Sequence, residues 1–363
     1  MKRVVYYISD VGWGHAARSS VLISELAADP GGVEVVVRNL SALTLLRTLL
    51  SRPLEEGRVV LAPPDEAQDP LWPGLYPFSR AEVKRALLSW LGGYGRRVRE
   101  EVSFLRRMAP DLVVSDIVPQ AFEAAHSLGI PCVAVTNINW WDEYTHILGD
   151  VPSLEVVRNA YSLALWCFLL PFESNNTPFR LKERVPLVAR SFCPERVRAI
   201  RRALRARHRP EIVALVGTGA HYRPDENVVR AMEEASSRAK ILWLVPETFP
   251  DVDGLLLERV APADFTDALA ASDFAVVKFG YSTVAEAVLA RVPMLLLYRP
   301  EVLEDCLATE ELVSSRWALR VPMGAGFGIP LEELFSLERS PLSKRMENRG
   351  AEAVLKRLRE RYL

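Results

Sequence analysis

The feature that most limits what this chain can fold into is a rhythm, met twice: short runs rich in Val, Ile and Leu alternate with stretches of helical periodicity. The runs are apolar throughout instead of at every second residue, the pattern of parallel strands buried on both faces and joined by crossover helices. In the first half, Lys2–Ser9, Val33–Arg38, Arg58–Leu61, Asp111–Ser115 and Cys132–Thr136 read as strands. Helices are predicted over Ala16–Ala28, Ala42–Leu50 and Pro119–Leu128, the last ending at Gly129. In the second half the runs are Glu211–Val216, Lys240–Val245, Phe274–Lys278 and Met294–Tyr298, with Asn227–Ala239 and Thr283–Ala290 helical between them. An α/β fold of two doubly wound parallel sheets follows, and 363 residues fit two domains of roughly 100–200 residues each.

The proline-rich stretch Pro171–Pro210 reads as the crossover between the halves, with the boundary near Arg190. The expected division is 1–190 and 191–342, followed by 343–363, a charged amphipathic helix that packs back on the first domain. Ala62–Phe78, rich in Pro, Asp and aromatics, suits a loop beside a cleft. The longest nearly unbroken apolar stretch, Tyr161–Pro171, is about half of the roughly 20 residues that span a bilayer, so it reads as core. No transmembrane segment is expected, and the start of the chain lacks the pattern of a signal peptide, which makes the cytoplasm the default location. Peripheral membrane contact stays open. With 45 basic against 46 acidic residues, binding of nucleic acid through bulk charge is excluded. Cys132, Cys167, Cys193 and Cys306 are far apart, without ligand spacing, so neither a zinc site nor a disulfide framework is expected.

Five loops carry candidate chemistry. The first strand runs into Asp10-Val11-Gly12-Trp13-Gly14-His15-Ala16-Ala17, where glycines permit a tight turn and a helix opens. This fits G-x-G-x-x-A, the dinucleotide fingerprint, yet Trp13 and His15 crowd the turn. The second strand also ends in Arg38-Asn39 where an NAD enzyme offers Asp or Glu, so only an NADP oxidoreductase survives as a rival. His15, at the carboxyl edge of the sheet, can act as a general base; the plainer alternative is a histidine bonded to its own loop. Asp116 closes another strand at that edge and can steady an imidazolium, or it can cap the next helix.

In the second half, Gly217-Thr218-Gly219 and Lys278-Phe279-Gly280-Tyr281-Ser282-Thr283 each follow a strand and place small residues and backbone N–H groups at a helix start, a cradle for a diphosphate. Glu286, a turn later, can accept both hydroxyls of a ribose, although Thr283-x-x-Glu286 also reads as a capping box. The segment Asn137-Ile138-Asn139-Trp140-Trp141-Asp142 offers indole faces and polar groups suited to sugar rings, or simply to a core. Arginine-rich helices at Arg96–Arg107 and Arg196–Arg209 read as solvated faces before they read as sites for lipid or phosphate. No Walker loop is present, and Asp251-x-Asp253 lies in a loop, so the reading requires no metal.

Taken in order, Gly12-x-Gly14-His15-Ala16-x-Arg18, Val114-Ser115-Asp116-Ile117-Val118-Pro119, Gly129-Ile130-Pro131, Val135-Thr136-Asn137 with Trp141-Asp142, Val185-Pro186-Leu187-Val188-x-Arg190 and Lys278-x-Gly280-Tyr281-Ser282-Thr283-Val284-x-Glu286 resemble the GT-B glycosyltransferases, and most closely the glycosyltransferase-like N-terminal domain of L-arabinokinases. More distantly the chain resembles the lipid II-forming N-acetylglucosaminyltransferase and the UDP-glycosyltransferases. The resemblance implies two Rossmann-like domains with a cleft between them. It further implies an inverting, metal-independent transfer of a sugar, of hexosyltransferase type, from a nucleotide-diphosphate sugar, UDP-sugar favoured, to an acceptor hydroxyl.

On that resemblance His15 and Asp116 are catalytic. Gly217, Thr218, Gly219, Lys278, Gly280, Tyr281, Ser282, Thr283 and Glu286 hold the donor, while Gly14, Asn137, Trp140, Trp141 and Asp142 meet the acceptor, whether a small sugar, a lipid-linked one or another. No cofactor is implied, since the nucleotide-sugar is a substrate. The sequence departs from its relatives after the last of these strands, where Tyr298-Arg299-Pro300-Glu301 runs to Glu304-Asp305 in place of His-Gln or Asp-Gln. A non-catalytic nucleotide-sugar binding module is the main alternative, and the NADP oxidoreductase is third.

Overall fold

The computed structural model describes residues 1–70, 77–174, 177–217, 226–337 and 344–363. They divide into two compact units, one of residues 1–188 with 301–304 and 347–363, the other of 189–300 with 305–346. The sheet of the first unit is built from β1 (Lys2–Ile8), β2 (Val33–Arg38), β3 (Val59–Leu61), β4 (Leu112–Asp116), β5 (Cys132–Thr136), β6 (Trp166–Leu169) and β7 (Lys182–Arg184). All its pairings are parallel, in the order β3-β2-β1-β4-β5-β6-β7. Strands β4 and β5 are buried at every residue, which is why they carry unbroken apolar runs.

The second unit repeats the plan with β8 (Ile212–Gly217), β9 (Ile241–Pro246), β10 (Leu256–Val260), β11 (Phe274–Lys278), β12 (Met294–Tyr298) and β13 (Ala318–Pro322). Its order, β10-β9-β8-β11-β12-β13, is again wholly parallel. In each sheet the strand order reverses at one place, between β1 and β4 in the first and between β8 and β11 in the second. Beside the carboxyl ends of such strand pairs an open α/β sheet leaves a crevice, so topology alone marks two places for ligands.

Four strands lie beyond the sequence reading. β7, β10 and β13 form the far edges or outer flanks of their sheets, where residues such as Lys182, Glu258 and Arg320 interrupt the apolar run. β6 hides inside the apolar stretch Tyr161–Pro171, and the supposed plain crossover Pro171–Pro210 holds β7 together with the helix Pro194–His208. The C-terminal helix Gly350–Arg361 belongs to the first unit. Gly350 N–H donates to the Leu187 carbonyl at 2.8 Å, and a Cβ there would come within 2.2 Å of the Pro186 carbonyl oxygen, so only glycine allows this approach. Arg359 to Asp29 and Arg357 to Glu183 complete the attachment.

Among the described residues no helix is long and apolar enough to cross a membrane. Nor do any three or more of their His, Cys, Asp and Glu side chains form a group that could hold a metal ion.

Candidate active site

In the first unit the register pairs Ile8 of β1 with Asp116 of β4, which brings the turn after β1 to the place where the strand order reverses. Gly12 sits at φ +72°, a conformation L side chains rarely adopt, and the helix Gly14–Ala27 starts directly after Trp13 with no side-chain cap. A Cβ at Gly14 would meet nothing within 4 Å, so this turn borders open space. Its shape is held by Asp10, whose carboxylate accepts from the backbone N–H groups of Leu40 (2.7 Å), Ser41 (3.1 Å) and Gln68 (2.9 Å).

His15 and Arg18, three apart on one helix face, both reach Asp116. His15 Nδ1 lies 3.0 Å from Asp116 Oδ1, while Arg18 grips both carboxylate oxygens, with Nη2 at 2.6 Å from Oδ1 and Nε at 2.8 Å from Oδ2. Ser19 Oγ donates to Oδ2 as well, at 3.1 Å. Asp116 is 1% exposed and Arg18 2%, so this is a buried ion pair with the imidazole at its rim. Burial alone would raise the Asp116 carboxyl, but the charges of Arg18 and then His15 outweigh it and hold the group well below the usual carboxylate range. Asp116 therefore does not cap the following helix: that helix, Pro119–Ser127, starts after Val118, whose N–H is taken by Ser115 Oγ. Between them Ile117 adopts φ +58°, an uncommon conformation for a β-branched residue and a local store of strain beside the site.

Arg18 Nη2 also stands 2.9 Å from His15 Nδ1. The two contacts of that nitrogen call for opposite tautomers. Donation from Nδ1–H to Asp116 leaves Nε2 as a base, whereas acceptance from Arg18 puts the proton on Nε2. Arg18 extends the network to Asn137, whose Oδ1 accepts from Nη1 at 2.6 Å and whose Nδ2 donates to Glu304 Oε1 at 2.9 Å. Glu304 lies in the segment 301–304 of the same unit, and its N–H and that of Leu303 donate to the Glu143 carboxylate at 3.2 and 3.0 Å.

The remaining residues singled out in this unit are more deeply built in. Trp140 is 6% exposed and its indole N–H donates to Asp69 Oδ1 at 2.7 Å. Trp141 is half-buried under the Arg158 guanidinium, 5.7 Å from its ring. Asp142 is buried against Asn139, which caps the helix Trp140–Leu148, and burial raises its carboxyl to about 6. Asp69, which the sequence did not point to, is 1% exposed and accepts from Asp10 N–H at 2.6 Å. Burial first, and the Asp10 carboxylate second, push it up to about 7. Nothing in an irregular loop signals such a residue. Arg18 did leave a signal, a charge among the small and apolar residues of the inward helix face.

In the second unit Gly217 of β8 pairs with Val277 of β11, again where the strand order reverses. A Cβ on Gly217 would stand 3.2 Å from Val277 Cγ1 and 3.3 Å from Phe265 Cζ, so the glycine serves close packing. Thr218 and Gly219 lie outside the described residues. Gly280 opens the helix Tyr281–Ala290 without any side-chain cap, and a Cβ there would meet nothing within 4 Å. Lys278 is half-buried at the strand end, Tyr281 and Ser282 are buried, and Thr283 is half-buried in the first turn. The capping box does not form, because Thr283 is inside the helix. Glu286, 1% exposed, instead accepts from Arg190 Nε (2.7 Å) and Nη2 (3.1 Å) and from Thr266 Oγ1 (2.9 Å). Further along the sheet Asp305 is fully buried and clamped by Arg299, at 2.6 and 2.8 Å.

Two all-parallel α/β units, each with a loop site beside the carboxyl ends of its central strands, are the GT-B fold, and solved structures of that class superpose along the chain. The glycosyltransferase of kitacinnamycin matches with a TM-score of 0.64 at 16% identity over 99% of both chains. Arabidopsis thaliana UGT89C1 complexed with UDP gives 0.64 at 15% identity, over 100% of this chain and 94% of that one. The S. aureus MnaA–UDP co-structure gives 0.63 at 13% identity, over 100% and 98%. In sequence the chain is similar to an L-arabinokinase of Arabidopsis thaliana, 27% identical over 299 residues, or 81% of this chain; it spans 28% of the length of that relative. No protein-family model matches.

Proposed function

We propose that the protein is an inverting, metal-independent glycosyltransferase that moves a sugar from a nucleotide-diphosphate sugar, UDP-sugar by preference, to an acceptor hydroxyl. The observation that carries this reading is the contact of His15 Nδ1 with Asp116 Oδ1 at 3.0 Å, beside the turn of Gly14. In the tautomer that donates to Asp116, His15 Nε2 removes the acceptor proton as the acceptor oxygen attacks the anomeric carbon. The bond from that carbon to the diphosphate breaks, its electron pair leaves with the phosphate, and one displacement inverts the centre. Asp116 then steadies the imidazolium, a contribution of about 10²–10⁴-fold for the base as a whole.

On the second unit Lys278 and the start of the helix after Gly280 suit the diphosphate. Glu286 suits the ribose, provided that its hydroxyls displace Arg190 from the carboxylate. UDP bound to UGT89C1 and to MnaA supports the choice of nucleotide.

A second reading, a nucleotide-sugar binding module without turnover, is favoured by one observation: Arg18 competes with His15 for Asp116 and can donate to Nδ1 itself. The NADP oxidoreductase has less support, since the Arg38 guanidinium is already spent on Glu101 and the Ala62 carbonyl. The test is release of UDP from a panel of UDP-sugars offered with sugar and phenol acceptors. Transfer by wild type that falls at least a hundredfold in His15→Ala is the expected result; donor binding without transfer, unaffected by His15→Ala, would favour the binding module.

A further inference from the structure

Both halves of the His15–Asp116 contact stand on backbone that needs outside support. His15 follows a turn containing Gly12 and Gly14, the first at φ +72°, and glycines give up more freedom on ordering than other residues do. Asp116 is followed by Ile117 at φ +58°, a conformation that persists only where its neighbours over-determine it. One circuit of hydrogen bonds within the first unit serves both loops. Asp10 N–H, at the head of the turn, donates to Asp69 Oδ2 at 2.6 Å, and the Trp140 indole N–H donates to Asp69 Oδ1 at 2.7 Å. The backbone N–H of Trp140, which opens its helix and so lacks an intrahelical acceptor, donates to Tyr161 Oη at 3.3 Å. Tyr161 in turn donates to the Ile117 carbonyl at 2.8 Å. The circuit closes from Ile117 to Asp116 along the chain, across 3.0 Å to His15 Nδ1, and back through the turn to Asp10.

Two joints of this circuit depend on particular chemical groups. Asp69 gives one oxygen to each of two N–H donors; an amide in its place has one oxygen, and its NH₂ would face a donor. The Tyr161 hydroxyl accepts and donates at once. Its ring packs against Phe122 and Phe179, with centroids 5.7 and 5.3 Å away, so loss of the hydroxyl alone leaves the packing in place. We propose that Asp69 and Tyr161 are positioning residues of this site: both are buried, and together they hold the two loops where His15 Nδ1 meets Asp116. This rests on the reading of His15 as the base whose proton sits on Nδ1. Once the loops loosen, Arg18, already 2.9 Å from Nδ1, donates to that nitrogen in place of the bond to Asp116, and the proton moves to Nε2.

The test is nitrogen NMR of the full chain with isotope-labelled histidine at pH 8, which reads the ratio of Nδ1–H to Nε2–H tautomers; the signal lost in His15→Gln assigns His15 among the five histidines. Nδ1–H in excess is expected in wild type. Tyr161→Phe and Asp69→Asn should each lower the ratio about two- to tenfold, the worth of one hydrogen bond. Tyr94→Phe removes a tyrosine hydroxyl bonded to Glu123, outside the circuit, and should leave the ratio alone. A purely structural role would lower melting temperatures without moving the tautomers. The proposal is overturned if the ratio stays at or above the wild-type value in either folded variant, or if Tyr94→Phe lowers it equally. Nε2–H in excess in wild type would overturn the transferase reading and the proposal with it, a failure that is seen without any variant at Asp69 or Tyr161.

Discussion

The two sheets place their candidate loops alike but fill them in opposite ways. Where β1 meets β4, the loops supply a buried carboxylate, a guanidinium and an imidazole within hydrogen-bond reach of one another. Where β8 meets β11, they supply glycines and a helix start, and the Glu286 carboxylate one turn into that helix is turned to Arg190 and Thr266. One topology thus carries two kinds of loop, one charged and one glycine-lined, and the difference lies in the loop residues instead of the strands.

Breaking the charged site has the largest expected effect. Asp116→Asn leaves Arg18, 2% exposed, without its counter-charge, and should cost about 3–5 kcal/mol of stability, read by denaturant unfolding of the full chain. His15→Ala separates chemistry from folding, since its side chain is 13% exposed and at the rim: turnover should fall about 10²–10⁴-fold while stability changes by less than about 1 kcal/mol. At the other site Glu286→Ala strands Arg190, whose side chain is 16% exposed, at a cost of about 1–3 kcal/mol. Arg190→Met sharpens the contrast. If ribose and Arg190 compete for the same oxygens, this variant binds UDP several-fold tighter, and a purely structural pair would give no gain.

The effect that depends on pH concerns Asp69. Its pKa is raised to about 7, so the folded state keeps a proton that the unfolded chain releases near pH 4. The associated stability is full below about pH 4, declines as pH rises to about 7, and is flat above. Asp69→Asn should remove that slope, on the order of 2–4 kcal/mol at most, seen as melting temperatures at pH 5 and pH 8 that lie closer together than in wild type.

Central strands were legible because burial on both faces writes an unbroken apolar run, as in Leu112-Val113-Val114 and Phe274-Ala275-Val276-Val277. Edge strands were not, because half-exposed positions accept residues such as Glu258 and Arg320. The loops after β1, β4 and β11 announced themselves through glycines and through His15 and Asp116 at strand ends. Their pairings did not: Arg190 reaches Glu286 across 96 residues and Arg18 reaches Asn137 across 119, and no local pattern records contacts of that range. Asp69 is hidden for a related reason, since its burial depends on Trp140 and Asp10 from other loops.

The most direct measurement is the affinity for UDP of wild type, His15→Ala and Glu286→Ala by titration calorimetry, with NADP run beside it. If the nucleotide belongs to the β8–β11 loops and proton transfer to the β1–β4 loops, UDP binding is lost in Glu286→Ala and unchanged in His15→Ala, and NADP gives no heat. Binding of NADP, or UDP binding that survives Glu286→Ala and is lost in His15→Ala, would put the nucleotide at the Gly12–Gly14 turn and contradict the division of roles.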